Sequence, residues 1–437
     1  MRMAGLYQRK WLLIRLPVLV ASVVAVWWLW WVVFPMPSTR LNMTTAATDG
    51  AYYRNAQKYA DRFAERGIAL NVQASDGSQQ NLDRLRSPAS TFDLAFIQGG
   101  FGYLGNTAGR SDLSRVETLV NVDIEPVWIF SKTRDIESLL DLQGLRVAIG
   151  PNGSGSRHVA LKLFEQARLA PKDITISPLT GGAAAQALRL NQIDVVLMVA
   201  APESLAIQNM LGLPGIRLAN LHKSAAITER NPYLESRLLA QGTLDNRLPP
   251  RDTTLLTTSA SLVAREDLHP ALKRMALAVA AEVHTGGGMF HRAGDFPSLR
   301  RIDFPTAPQS REVLSHGLNW MERSLPFWWA QVLERMLLIV LPVSLVALWL
   351  MQLIPACVHW VLKSRVNRWY GELKFIENDL GQDSLTGMEL TRFLLRLNGM
   401  DKSLMAFSCP PQLIARCHTL HQHIEFVRQR LYRLRGR

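Results

Sequence analysis

Cysteine is scarce in this chain, with three residues among 437: Cys357, Cys409 and Cys417. None lies between residues 40 and 330, which rules out a disulfide framework for that long middle segment. No C-x-x-C pair and no Cys/His spacing typical of a zinc site occurs. Three histidines, at 418, 421 and 423, lie close together but lack an arranged carboxylate. We therefore predict no metal site.

Catalytic signatures are also missing. The sequence has no HExxH motif and no G-x-S-x-G nucleophile elbow. Its nearest approach to a phosphate loop is GPNGSGSRH at 150–158, where Ser156 and Arg157 stand in place of the Walker A Lys-Ser/Thr pair. His158 follows Ser156 too closely on a helix to face it as a general base. We predict that the protein is not an enzyme and needs no cofactor.

Charge is nearly absent from two long apolar runs, residues 11–34 and 336–362. Each exceeds the roughly 20 residues that a helix needs to cross a bilayer. The first run lacks an A-x-A-like cleavage site, which favours an uncleaved anchor over a signal peptide. We predict two transmembrane helices, with a cytoplasmic N-terminus at 1–10 and a helical cytoplasmic tail at 363–437.

Basic residues give the orientation of these runs. Arg2, Arg9 and Lys10 precede the first run, and Lys363 and Arg365 follow the second. By the positive-inside rule we expect both termini to be cytoplasmic and the segment 38–330 to lie outside the cytoplasm. The net charge of +13 is concentrated in the N-terminus and the tail, where it suits anionic lipid, so nucleic acid is not an expected partner.

Strand-like and helix-like patterns alternate along 38–330, which predicts an α/β architecture with mostly parallel sheets. One arrangement has two lobes, the first at about 40–122 with 255–330 and the second at about 127–250. The chain would cross between them at EPVWIFS and again at TTLLTTSASLVARED. A single large α/β domain fits the same pattern.

Four strand-to-helix junctions combine small and polar residues: TDGAYYRN, SDGSQQNL, GPNGSGSR and LTGGAAAQ. Ligands bind at such turns in open α/β sheets. Helix N-termini, hydroxyls and Arg157 directed at one cleft suit a small acid. Each junction taken alone is more often a helix cap, whereas four of the same character favour a binding cleft that includes Arg157, Gly181 and Gly182.

The ordered set SDGSQQNLDRL, DLAFIQGG, GPNGSGS and GGAAAQALRLNQIDVVLMVAAP resembles the TAXI family, the solute-binding proteins of TRAP transporters. The resemblance covers roughly residues 40–310. SLPFWWAQVLERMLLIVLP, with WYGEL beyond it, resembles a membrane-anchored branch of that family. It implies a two-lobed type 2 periplasmic-binding-protein fold that closes over a small organic acid or amino acid.

The resemblance also implies ligand contacts at particular positions. The family's binding loops fall at Tyr52, at Ser78 and Asn81, at Gln98, and at Ser154, Gly155 and Ser156. The implied function is a membrane-tethered receptor of a bacterial inner membrane, with its binding domain 38–330 in the periplasm, that delivers its ligand to TRAP permease subunits. A ligand sensor or scaffold that signals through the second span to the tail, without transport, is the alternative.

Overall fold

The computed structural model describes residues 17, 20–28, 30–32, 35–102, 115–132, 134–170, 172–244, 248–380, 387–407, 409 and 413–435. The chain forms two compact units. One spans residues 34–335, and the other comprises the described residues before and after it. The unit 34–335 is the α/β domain, and it contains the whole segment 38–330 for which the sequence predicts a binding domain.

One ten-stranded sheet organises the α/β domain. The strands are β1 Arg40–Thr44, β2 Ala69–Gln73, β3 Leu94–Gln98, β4 Val116–Ser131, β5 Arg146–Ala148, β6 Thr175–Ser177, β7 Val195–Val199, β8 Arg217–Leu218, β9 Glu235–Leu239 and β10 Thr253–Arg265. The main order is β2-β1-β3-β10-β4-β7-β5-β6, with β8 beside β4 and β9 beside β10.

The sheet is mixed, whereas the sequence pattern favours mostly parallel pairing. The pairs β1–β2, β1–β3, β5–β6 and β5–β7 are parallel. Every pair that involves β4 or β10 is antiparallel. Both strands are long and run through the middle of the sheet, so the antiparallel pairs lie where the chain crosses between two parallel groups.

The helices of the domain are α1 Ala51–Ala64, α2 Ser78–Arg86, α3 Gly155–Gln166, α4 Gly181–Arg189, α5 Leu205–Leu211, α6 Ser224–Arg230, α7 Pro270–His284, α8 Pro308–His316, α9 Trp320–Ser324 and α10 Phe327–Arg335. Helix α1 shows why they form, since Ala56, Tyr59 and Phe63 recur at helical spacing and are its buried face. Strand β7, VVLMV, is buried at all five positions, as expected of a strand covered on both faces.

Separate hydrophobic cores flank the two crossing strands. We call β1–β3 with α1, α2 and α7 the first half of the domain, and β5–β7 with α3, α4 and α5 the second half. Leu41, Tyr59 and Phe96 belong to a core of the first half. Val147, Leu163 and Leu197 belong to a core of the second half. Strand β10 pairs with β3 through residues 260–264, and β4 pairs with β7 through residues 127–131. Among the described strands, these two run from one half to the other.

One helical segment among the described residues is long and apolar enough to cross a membrane, Phe327–Trp349, with a mean hydropathy of 2.0. It begins as α10, continues through the π-helical turn Met336–Val340, and enters α11, Leu341–Asp379. A shorter apolar helix, Val20–Val32, lies in the first predicted span, and part of that span falls outside the described residues. That the chain crosses the membrane at 336–362, and that it crosses it twice, stay predictions.

The tail is a three-helix unit with a core of its own. Helix α11 is followed by α12, Gly387–Ala406, and α13, Ile414–Arg435. Leu373, Leu397 and Leu420 contribute one buried side chain from each helix. Asp401 on α12 binds two groups of α13, at 2.7 Å from Arg428 and 2.8 Å from His421. Cys409 and Cys417 form a disulfide that the sequence did not lead us to expect.

Candidate functional site

The glycine-rich loop at 150–158 is shaped as a helix cap. Ser154 is the N-cap residue of α3, and its Oγ accepts from Arg157 N at 3.3 Å. Gly150 and Gly153 have φ values of +92° and +84°, in the left-handed region that favours glycine. Ser156 Oγ accepts from Val199 N at 2.9 Å, and Arg157 Nη1 donates to Gly150 O at 3.2 Å. The side chains of Ser154, Ser156 and Arg157 therefore make hydrogen bonds that stabilise the loop itself and its contact with β7.

This loop touches the second predicted turn, at 75–79. Gln79 N, at the start of α2, donates to Gly153 O at 3.3 Å. Gly77 has φ +132°, and a Cβ at this position would lie 3.1 Å from Gly153 O. The two halves of the domain are thus in backbone contact here, and the close approach requires glycine at 77.

Ser78 and Asn81 make bonds within the first half. Ser78 Oγ accepts from Gln98 N at 3.0 Å. Asn81 is fully buried, with Nδ2 donating to Phe96 O at 2.9 Å and to Thr45 O. Its Oδ1 accepts from the hydroxyls of Thr44 and Ser75, each at 2.7 Å. Asn81 therefore fixes three strand ends relative to one another, and its contact with a ligand stays a prediction.

Gln98 has a buried side-chain amide whose nitrogen is left without a hydrogen-bond partner among the described residues. Its side chain faces the second half, where a Cβ at Gly155 would collide with it. Gln98 is 4% exposed, and its Nε2 has no hydrogen-bond partner among the described residues. Thr258 Oγ1, on β10, is also buried without such a partner. An unsatisfied buried polar group costs about 1–3 kcal/mol, so each of these two atoms would gain from a polar partner.

Tyr52 hydrogen-bonds to the side chain of Glu125, a buried residue that the sequence analysis did not single out. Its OH donates to Glu125 Oε2 at 2.9 Å, and its ring packs on Phe96 with the ring centroids 5.4 Å apart. Burial raises the pKa of Glu125 to about 8, so the carboxyl is mostly neutral at pH 7. A glutamate in the mainly apolar stretch VNVDIEPVWIF was the available signal for this site.

A cavity of about 370 Å³ opens next to these residues. Its walls come from the N-terminal part of α1, from β4, from the turn after β7, and from the segment after α7. They comprise Ala51, Arg54, Asn55, Lys58, Val122, Asp123, Ile124, Ala201, Pro202, Glu203, Ser204, Val283, His284, Gly286, Gly287, Gly288, Met289, Phe290 and His291. Both halves therefore line one crevice at the strand through which the chain crosses.

The cavity carries both signs of charge. Arg54 and Lys58 stand on the first half, and Glu203 stands on the second. Lys58 and Glu203 have no ion pair among the described residues, while Asp123 lies 3.3 Å from His291 Nε2. That carboxylate raises the pKa of His291 through a hydrogen bond. A second, smaller cavity of about 60 Å³ lies behind it and shares Ile124, Phe290 and His291.

None of the residues predicted from the sequence lines this cavity. Tyr52 adjoins Ala51, and the cluster of Ser78, Gln98, Gly155 and their neighbours packs where the two halves touch. Gly181 and Gly182 begin α4, with Gly182 exposed. Their contact with a ligand stays a prediction. No group of three or more His, Cys, Asp or Glu placed to hold a metal occurs in the described part of the chain.

Comparison with protein families gives the identity of this domain. The model of the NMT1-like family matches residues 43–273, from β1 to α7. The chain belongs to the NMT1-like family. Membership of this family agrees with the prediction that the protein is not an enzyme. The finer assignment to TAXI proteins stays a prediction.

Several solved structures similar to this NMT1-like chain are described as binding proteins. The aliphatic sulphonate binding protein SsuA from Escherichia coli is 16% identical, with 57% of this chain and 69% of that one covered and a TM-score of 0.37. A nutrient binding protein from Burkholderia cenocepacia bound to methionine is 16% identical, with 55% and 91% covered and a TM-score of 0.33. An ancestral arginine-binding protein is 14% identical, with 58% and 96% covered and a TM-score of 0.36. Likenesses at this level assign no ligand to the chain.

Proposed function

We propose that the α/β domain is an extracytoplasmic receptor that binds a small organic acid or amino acid in the 370 Å³ cavity between its two halves. The observation that carries this proposal is the shared wall of the cavity. Helix α1 of the first half, the turn Ala201–Ser204 of the second half and β4 between them all line it. A solute bound there touches both halves at once.

Closure by a hinge follows from the same arrangement. The first lobe, about 40–122 with 255–330, and the second lobe, about 127–250, are joined through β4 and β10. Two long crossing strands form a hinge, and a ligand that contacts both lobes favours the closed state over the open one. The backbone contact between Gln79 N and Gly153 O, at 3.3 Å, supports a closed arrangement of the two lobes.

The charges of the cavity support the ligand class. Arg54 and Lys58 place two cations along one wall, where a carboxylate of the ligand finds partners. Glu203 and Asp123 offer acceptors to an amine. A small acid therefore pairs with the first lobe, and an amino acid pairs with both.

Membrane tethering is the second part of the proposal. The span at 336–362 is supported by the apolar helix Phe327–Trp349, and the anchor at 11–34 by its composition. Both termini are then cytoplasmic and the domain is periplasmic. Arg335 Nη2 donates to Pro35 O at 3.0 Å, which brings the two ends of the domain together.

Two roles remain for a tethered receptor. Delivery of the solute to TRAP permease subunits follows from the TAXI resemblance. The alternative is a sensor that signals to the tail, and it is supported by the buried packing of α10. Phe327, Ala330 and Gln331 of that helix are buried in the α/β domain, and the same helix continues into the apolar segment. Solute uptake that requires both this chain and a permease supports transport, whereas a ligand-dependent change in protease sensitivity of the tail supports sensing.

The first test is thermal unfolding of the full-length chain in detergent against a panel of amino acids and organic acids. A ligand at about a hundred times its dissociation constant stabilises the fold by roughly 2.7 kcal/mol. Lys58→Ala should abolish the shift, because Lys58 lines the cavity without an ion pair among the described residues. Arg62→Ala is the matched control, since Arg62 lies on the same helix but 3.1 Å from Glu65 and outside the cavity. A panel that produces no shift in a well-folded protein would contradict the proposal.

A further inference from the structure

A third cavity, of about 280 Å³, lies on the second half of the domain and shares no residue with the proposed solute cavity. We call it the lateral groove. It is bounded by the 3₁₀ turn Leu139–Leu142, by the end of α3 and by α6 with the residue that precedes it. Its lining consists of Glu137, Ser138, Leu139, Leu140, Gln166, Ala167, Arg168, Leu221, Lys223, Ala226, Ile227 and Arg230.

The floor and walls of the lateral groove are apolar. Leu139 and Leu221 are buried beneath it, while Leu140 stands at its edge with 56% of its surface exposed. Ala226 and Ile227 form the facing wall. The amide of Gln166 is already bonded, because it exchanges two hydrogen bonds of 2.6 Å with Asn231. An apolar chain would therefore remove Leu140 from water without displacing an unsatisfied polar group.

Three cations surround these walls. Arg168, Lys223 and Arg230 line the groove, and none has an ion pair or a side-chain hydrogen bond among the described residues. The backbone fixes Arg168, which has φ +57° just after α3. The single carboxylate of the lining, Glu137, already accepts from Arg251 Nη2 at 3.1 Å. The uncompensated charge of the groove is thus positive.

The ligand that complements the lateral groove has a hydrocarbon chain for its apolar walls and an anionic group for its unpaired cations. Burial of a hydrocarbon chain contributes about 25 cal/mol per Å² removed from water, and a carboxylate pairs with the cations at the rim. A cationic amphiphile would meet three like charges, and a short acid would leave the trough empty. From this geometry we infer that the lateral groove binds a medium-chain carboxylate, at a site separate from the solute cavity.

The test uses full-length protein in amphipol with a photoactivatable diazirine derivative of decanoate. After irradiation, mass spectrometry should locate label on peptides that contain 137–142 or 221–230. Excess decanoate should displace that label at least fivefold, and decyltrimethylammonium or butyrate should not. Label on the apolar helix Phe327–Trp349 alone would overturn the inference, as would equal displacement by the cationic amphiphile.

Matched variants separate the groove from general surface effects. Arg168→Glu combined with Lys223→Glu should reduce groove labelling at least fivefold, and so should Leu140→Asp. Arg134→Glu is the charge control, an exposed arginine of the second half outside the groove. Leu161→Asp is the apolar control, with Leu161 41% exposed on α3. Unchanged labelling in the groove variants would overturn the inference, and if a variant fails to fold, the displacement series on the unmodified chain decides.

Discussion

Arg274 and Glu322 form a bidentate ion pair that joins α7 to α9. Arg274 Nη2 lies 2.7 Å from Glu322 Oε1, and Arg274 Nε lies 2.9 Å from the same oxygen and 3.2 Å from Oε2. The Glu322 side chain is 1% exposed. Gln331 on α10 donates to Glu322 Oε1 at 3.4 Å. This network joins α10, at the start of the apolar helix Phe327–Trp349, to α7 of the first half of the domain.

We predict that Arg274→Ala lowers the free energy of unfolding of the α/β domain by about 3–5 kcal/mol, because it leaves the Glu322 carboxylate buried and unpaired. Lys162→Ala is the control, since Lys162 pairs with Glu165 at the surface and such a pair is worth about 0–1 kcal/mol. Urea unfolding followed by fluorescence measures both. An equal and small loss in the two variants would show that the Arg274 network does not anchor the helix.

Glu125 gives the domain a specific pH dependence. Burial raises its pKa from 4.5 to about 8 in the folded state, so the folded chain holds a proton that the unfolded chain releases between those values. The stability associated with Glu125 is therefore present below pH 4.5 and is lost as the pH rises through 8. Glu125→Gln keeps a neutral side chain of the same shape.

We expect the stability of Glu125→Gln, relative to the unmodified chain, to increase as the pH is raised from 5 to 9. Thermal unfolding of both proteins across that range measures the difference. Asp303 also has a raised pKa, of about 6, but it contributes equally to both proteins. A difference that is constant with pH would contradict the buried, neutral state of Glu125.

Gly77 tests the contact between the two halves. A Cβ at Gly77 would lie 3.1 Å from Gly153 O, whereas a Cβ at Gly67 would meet no heavy atom within 4 Å. Both glycines have positive φ, so alanine strains the backbone at either position. Only Gly77→Ala also pushes the halves apart. We predict that it costs about 1 kcal/mol or more beyond Gly67→Ala in unfolding free energy, and that it opens the domain in small-angle scattering. Equal losses of unfolding free energy in the two variants would show that the contact between Gly77 and Gly153 does not hold the two halves together.

The tail disulfide provides a test of topology. Disulfides persist in oxidising compartments and are rare in the cytosol. If the tail is cytoplasmic, as proposed, Cys409 and Cys417 should be reduced in intact cells and should react with a membrane-impermeant maleimide only after the membrane is permeabilised. Recovery of an intact Cys409–Cys417 bond from cells treated with an alkylating quench would place the tail outside the cytoplasm.

The α/β alternation was readable from the sequence because strands such as VVLMV are continuous apolar runs and helices such as α1 carry a periodic apolar face. The antiparallel pairing of β4 and β10 was not, because strand direction depends on the long-range path of the chain. Asn81 illustrates a similar limit for the site. Its place in the junction SDGSQQNL and the TAXI resemblance pointed to ligand contact, yet the structure places its side-chain hydrogen bonds within the first half.

The cavity residues escaped the sequence analysis for a physical reason. Lys58, Glu203 and Gly286 come from three distant segments, and nothing in their local patterns marks them as neighbours. The sequence did identify the strand-to-helix junctions after β1, β2, β5 and β6, and those after β2 and β5 meet at the contact between Gln79 N and Gly153 O. Turn chemistry thus indicates where a cleft forms, and the fold decides which side chains line it.

Two glycines allow the most direct test of where the solute binds. A Cβ at Gly286, in the cavity wall, and a Cβ at Gly182, at the start of α4, would each meet no heavy atom within 4 Å. For a compound that stabilises the full-length chain, isothermal titration calorimetry should show at least a tenfold weaker affinity for Gly286→Phe and an unchanged affinity for Gly182→Phe. Unchanged affinity for Gly286→Phe, with binding lost in Gly182→Phe, would contradict the account and place the ligand at the glycine-rich junctions instead.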